Sequence, residues 1–176
     1  MSYVDSILYF MFNFFMYGFL GWIIENAYSY YNVGHMQSDG FLNSPFKPMY
    51  AIAMSLLVLI DDTFKLNRVT LFLLCLIVPT IVEYLTGILM RSYFNKDYWD
   101  YSKEKYNIKG IICIRFSLYW MFLTIIGVRY FQVYIISSLY RNIVEYWVIL
   151  CPVLVIMLII DDVITIKAFK NNKEAI

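Results

Sequence analysis

Glu25, Glu83 and Arg115 are the residues of this chain whose chemical type and setting call for an explanation. Each stands within or at the edge of a long apolar segment. A charge at the centre of a bilayer costs roughly 2.5–3.5 kcal/mol on insertion scales, so such groups usually face the inside of a helix bundle and find partners. Glu25 lies six residues before Tyr31, Glu83 seven before Met90, and Arg115 five after Gly110. At a helical rise of about 1.5 Å per residue, these offsets are about 9, 10 and 7 Å from one membrane face. Two acids and one base therefore share one depth.

Their neighbours favour an inward-facing cluster. Gly21 stands one turn before Glu25, and Pro79, Glu83 and Gly87 share one helix face. Glycine lets helices approach closely in lipid. Pro79 frees the carbonyl four residues earlier, which predicts a kink just above Glu83. Tyr119, one turn beyond Arg115, is placed to donate its hydroxyl. Two readings stay open. One is a buried salt-bridge cluster that fixes helix packing; the other is a polar site for an ion, a proton or a small solute. Acids outnumber Arg115, which favours a cationic or proton-linked cargo.

Other chemistries lack their residues. No P-loop pattern and no serine elbow is present, and His35, the single histidine, has no metal-binding context. Cys75, Cys113 and Cys151 sit inside apolar runs with neither metal nor redox spacing, and are read as small buried hydrophobes. No catalytic residue, metal or cofactor is expected, and the chain is not read as an enzyme.

The elements that must position the charges follow from composition. Of 176 residues, 61% are apolar, 20% aromatic and only 15% charged, and mean hydropathy is +0.63. A soluble domain is nearer 45–50% apolar and about 25% charged. A net charge of +1 gives no excess for binding nucleic acid. Five apolar segments appear, near 7–31, 46–60, 69–90, 111–128 and 143–160. In lipid each must be a helix, because every backbone polar group needs an internal partner. The expectation is an all-α, polytopic transmembrane bundle of about five spans, one integral membrane domain over 1–176. The first segment has no cleavage site and reads as a retained span. Loops and ends on one side carry Lys65, Arg68 and Arg141. The other side carries Lys47, Arg91, Lys96, Lys103, Lys105, Lys109, Lys167, Lys170 and Lys173. By the positive-inside rule the second side is cytoplasmic, with the N-terminus outside and the C-terminus inside. Leu59-Ile60-Asp61-Asp62 echoes Ile159-Ile160-Asp161-Asp162, read as helix ends meeting water.

Two loops stand out. Gly40 to Tyr50 puts Pro45 and Pro48 among apolar residues at the entry of the second span. It reads either as an ordered, membrane-dipping entry or as an ordinary turn. Tyr98-Trp99-Asp100-Tyr101 lies among lysines, either as an interfacial anchor or as a cap over the charge cluster.

Several of these residues form a series. Phe19-Leu20-Gly21-Trp22-Ile23-Ile24-Glu25 resembles the first-helix signature of the bacterial putative ABC-transporter type IV family, small permease-like membrane proteins. Gly40-Phe41-Leu42 with Pro45, Pro48 and Tyr50 resembles that family's proline loop, and Glu83-Tyr84-Leu85-Thr86-Gly87 its third-helix motif. Trp99-Asp100-Tyr101-Ser102, then Asn107, Gly110 and Cys113, then Ser117-Leu118-Tyr119-Trp120, resemble the rest, in the family's order over roughly 17–120. The chain departs from the pattern at Asp39, Ser44, Ala51 and Ile111. The resemblance implies a permease-like component of the bacterial cytoplasmic membrane; an ATP-driven role would need a separate ATPase subunit. The alternative is a non-transport subunit or a lipid-headgroup binder, and a less favoured one is a membrane-embedded enzyme using Glu25 or Glu83 as acid–base groups. So small a bundle also suggests a homo-oligomer.

Overall fold

The computed structural model describes residues 3–36 and 40–174; Asp39 and the side chain of Lys173 lie outside them. The chain is helical almost throughout. Helix α1 spans Tyr3–Val33, α2 Pro48–Phe64 and α3 Arg68–Phe94. A two-residue hairpin, β1 Asn107–Ile108 with β2 Ile112–Cys113, precedes α4, Ile114–Ile126. A π-helical segment, Gly127–Ile136, joins α4 to α5, Ser137–Glu174. Among the described residues, three stretches are long and apolar enough to cross a membrane: Tyr3–Val33, Arg68–Phe94 and Ile114–Asn171. Helix α2, with 17 residues, is about 25 Å long.

Local chemistry sets the boundaries. Pro48 occupies the first turn of α2, where its missing N–H has no intrahelical partner to lose. The second segment is thus one continuous helix rather than a broken one. Asn67 caps α3 by accepting from the Thr70 N–H at 2.9 Å. Asn95 ends α3 in the left-handed conformation, at φ 51°.

Helix α3 runs through Pro79 unbroken. The carbonyl that the proline frees belongs to Cys75; the Thr124 hydroxyl of α4 lies 3.0 Å from it and shares its one proton between that carbonyl and those of Trp120 at 2.8 Å and Met121 at 3.1 Å on its own helix. A threonine on a neighbouring helix is one of the few ways to satisfy such a carbonyl in lipid.

The last helical stretch corrects one expectation. No loop separates the fourth and fifth segments: residues 127–142 remain helical, and Asp161 lies inside α5 rather than at its end. Yet the stretch folds back. Ile111, just before α4, fills the space beside Gly87, while Phe169 near the end of α5 packs edge-on against Phe94, with ring centroids 5.0 Å apart. Gly87 and Phe94 are about 10 Å apart along α3, whereas a straight helix from 114 to 169 would span roughly 80 Å. The return falls near the π-helical segment, a common place for a helix to bend. Gln132 and Trp147 both bond to the first turns of α1: Gln132 Nε2 donates to Tyr9 Oη at 2.7 Å, and Trp147 Nε1 to the Leu8 carbonyl at 2.9 Å. The main core lies here, with the Phe12 ring in contact with both Tyr140 and Trp147. Cys75, Cys113 and Cys151 are buried free thiols.

Candidate functional site

The loop before α2 is tied down from three sides. Asp161 accepts from the Asn43 and Ser44 backbone N–H groups at 3.2 and 2.8 Å, and from Asn43 Nδ2 at 2.9 Å. The Lys47 N–H donates to the Gly18 carbonyl at 3.0 Å. Phe46 and Tyr50 then lie where side chains at Gly18 and Gly21 would stand. These two glycines allow the loop to sit against α1. The result aims Lys47 at Glu25, and the two form an ion pair. The Tyr50 hydroxyl is within reach of the same carboxylate.

The second half of the site is built on α3. Glu83 is buried, at 1% exposure. One turn on, the absent side chain of Gly87 admits Ile111 and Trp99. The 95–113 loop folds over this spot through its own bonds. Trp99 Nε1 donates to the Ile111 carbonyl at 2.7 Å, and the Tyr101 N–H to the Gly110 carbonyl at 2.8 Å. Gly110 adopts φ +69°, and a side chain there would strike Asp100. Asp100 accepts from the Ser102 N–H and hydroxyl at 2.8 and 2.9 Å. These bonds, the backbone one first, hold its carboxyl below the usual range. The Tyr101 ring stacks on Phe116 at 4.4 Å, and its hydroxyl donates to Glu83 Oε1 at 3.0 Å. Burial, then the Glu83 charge, push that phenol above its ordinary value. Glu83 Oε2 accepts no bond of good geometry; the buried Trp120 Nε1, also left without one, stands beside the carboxylate as its neutral donor.

Glu25 and Glu83 line one cavity of about 880 Å³, together with Lys47, Pro48, Tyr50, Trp99, Tyr101 and Tyr119. The predicted third member is elsewhere. Arg115 has an exposed side chain that pairs with Glu104 at 3.3 Å. It also donates to the Tyr119 hydroxyl at 3.1 Å, so Tyr119 accepts where a donor was expected. Equal depth did not bring Arg115 inward, because its turn of α4 faces outward. Lys47, counted in the sequence only as a loop charge, is the cation that pairs with Glu25. Of the supporting residues, Gly21 and Gly87 provide close approaches, and Asp100 orders the loop without lining the cavity. Trp22 stacks on Phe19 outside it, and Pro45 is exposed.

A second cavity of about 290 Å³ shares Tyr50, Glu83 and Trp120 with the first and reaches Tyr17 and Gly127. Beyond it lies a polar network that sequence reasoning missed. Tyr17 Oη donates to Gln132 Oε1 at 2.7 Å, Gln132 Nε2 to Asn13 Oδ1 at 2.8 Å, and Tyr9 bonds to Ser137 at 2.9 Å. Amides inside apolar runs were the available signal. No group of metal-ligating side chains occurs among the described residues.

No curated protein and no solved structure matches the chain. A family model, described as putative ABC-transporter type IV, matches residues 12–166. That range includes both walls of the cavity, the loop that covers Glu83 and the π-helical return. On this match the chain belongs to the putative ABC-transporter type IV family, a family of ABC-transporter type with apolar helices.

Proposed function

We propose that the chain is the permease-like membrane component of a bacterial transport system, which moves a small polar or charged solute through the interior of its bundle. The observation that carries this reading is Glu83: a buried carboxylate that lines a cavity of about 880 Å³ and has no ion pair among the described residues. A purely structural carboxylate in lipid would be expected to have a cationic partner. The chain contains no P-loop, so ATP-driven movement requires a separate ATPase subunit; no catalytic role is assigned to the chain itself. Five crossings are proposed, with α4 and α5 as two of them and α2 as a short one. Phe41, Phe94 and Phe169 form one aromatic cluster, which supports putting the loop before α2 and the ends of α3 and α5 on one face. By the positive-inside rule that lysine-rich face is cytoplasmic, and the cavity lies toward it. Assembly as a homo-oligomer belongs to the same proposal.

The test is untargeted mass spectrometry of solutes held by cells that express the wild type or Glu83→Gln at equal levels. The proposal expects at least one solute whose level differs several-fold. Identical profiles, with both proteins folded in the membrane, would assign Glu83 to a non-transport role. Reporter fusions at Asp5 and in the 95–109 loop should read outside and inside; the opposite result would overturn the orientation.

A further inference from the structure

We propose that the larger cavity binds an organic ammonium ion, with Glu83 as its anionic partner and aromatic rings as its walls. This rests on the transport reading above and names its substrate class. Four charged residues line the cavity: Glu25, Glu83, Asp162 and Lys47. Lys47 is engaged by Glu25, so Glu83 is a cavity carboxylate with no ion pair among the described residues. Glu83 lines the wall, and its buried Oε2 has only the neutral Trp120 indole beside it. A carboxylate without a counter-ion calls for a cation, and a cationic N–H supplies both a donor and the charge.

The rest of the wall narrows the class. Eleven of the 29 lining residues are aromatic, about twice the share in the whole chain. Ring faces attract organic cations. A hard metal ion would instead need six or so oxygen ligands, and no suitable group of side chains exists among the described residues. An anion would meet three acids against one engaged base. A neutral apolar solute would leave Glu83 without a counter-ion. A volume of about 880 Å³ falls within the range of small-molecule sites, roughly 300–1,000 Å³, and exceeds the needs of a bare ion.

The experiment uses three probes of one shape and different charge on the purified chain in lipid nanodiscs: 1-adamantylammonium, 1-adamantanol and 1-adamantanecarboxylate. Binding is read by calorimetry and by tryptophan fluorescence, since Trp99 and Trp120 line the cavity. The ammonium should bind saturably and at least tenfold more tightly than the alcohol, with the carboxylate weakest. Glu83→Gln keeps an acceptor for Tyr101 and should reduce ammonium affinity at least tenfold while leaving the alcohol unchanged. Equal affinities in the wild type, or full ammonium affinity in a folded Glu83→Gln, would overturn the site. If Glu83→Gln does not fold, protection of a Thr86→Cys thiol against alkylation replaces it. The ammonium should protect that thiol and the alcohol should not; equal protection would overturn the site. Charge-selective binding with identical cellular solute profiles would remove the transport role and keep the site. Altered profiles with no ammonium preference would do the reverse.

Discussion

The Tyr101 hydroxyl donates a 3.0 Å hydrogen bond to Glu83 Oε1, joining the loop after α3 to the buried acid of α3 itself. Trp99 packs beside Gly87 on the same helix face. The loop is therefore a cover whose attachment point is also the cavity's principal charge. On the proposal that a cationic solute binds Glu83, that binding and the loop's attachment share this one carboxylate.

Tyr101→Phe should loosen the cover without emptying the core. A hydrogen bond to a charged acceptor is worth about 1–2 kcal/mol here. The expected result is a modest fall in thermal midpoint and faster hydrogen exchange confined to the 95–113 loop. Unchanged exchange there would show that ring stacking on Phe116 alone holds the loop.

Thr124 and Pro79 should be energetically coupled. Thr124→Val leaves the Cys75 carbonyl without a donor and should cost about 1 kcal/mol, the usual scale for an interhelical bond in a membrane bundle. In a Pro79→Ala background the residue 79 N–H is restored and can serve that carbonyl, so Thr124→Val should cost less. Additive effects in this cycle would separate the threonine from the proline.

The ion pair that matters is Lys47 with Glu25. Lys47→Met leaves a partly buried carboxylate alone and should destabilise by about 1–3 kcal/mol, less than for a fully buried pair. Adding Glu25→Gln should recover part of the loss. Arg115→Leu, which breaks an exposed pair with Glu104, should change stability by less than about 1 kcal/mol. A larger loss for Arg115→Leu than for Lys47→Met would reverse the assignment.

Much of this arrangement was legible, for physical reasons that differ by residue. Segments such as 69–90 announce helices because lipid allows few other structures. Glu83 announces burial because a charge in the middle of a long apolar helix must face the bundle interior. Helical rise assigned Arg115 the depth of the two acids, but depth says nothing of azimuth, and the exposed guanidinium pairs with Glu104. Lys47 looked like a topological marker because it precedes Pro48; only the docking of Phe46 and Tyr50 on Gly18 and Gly21 turns it inward. Gln132 fell between two apolar runs and read as loop. Its role became visible only with the π-helical return that packs it against Tyr9, Asn13 and Tyr17.

Asp100 gives the loop a dependence on acid. Its carboxyl lies below the ordinary value because Ser102 donates two bonds to the charged form. The order it lends is therefore fully present above about pH 4, the unfolded value, and is lost as pH falls through the lower folded value. Trp99 fluorescence should report the loss as pH falls below about 4, and Asp100→Asn should flatten that part of the profile. Superimposable profiles would place the acid response in another group.

The central claim is that Glu83 sets the charge preference of a solute cavity inside the bundle. The most direct measurement is the reaction rate of Thr86→Cys, in a background lacking Cys75, Cys113 and Cys151, with two methanethiosulfonate reagents of similar size. One carries a trimethylammonium group and the other a sulfonate. The account predicts that the cationic reagent reacts at least tenfold faster, after correction for intrinsic reactivity, and that Glu83→Gln brings the ratio close to one. Equal rates in the presence of Glu83, or a ratio that Glu83→Gln leaves unchanged, would contradict it.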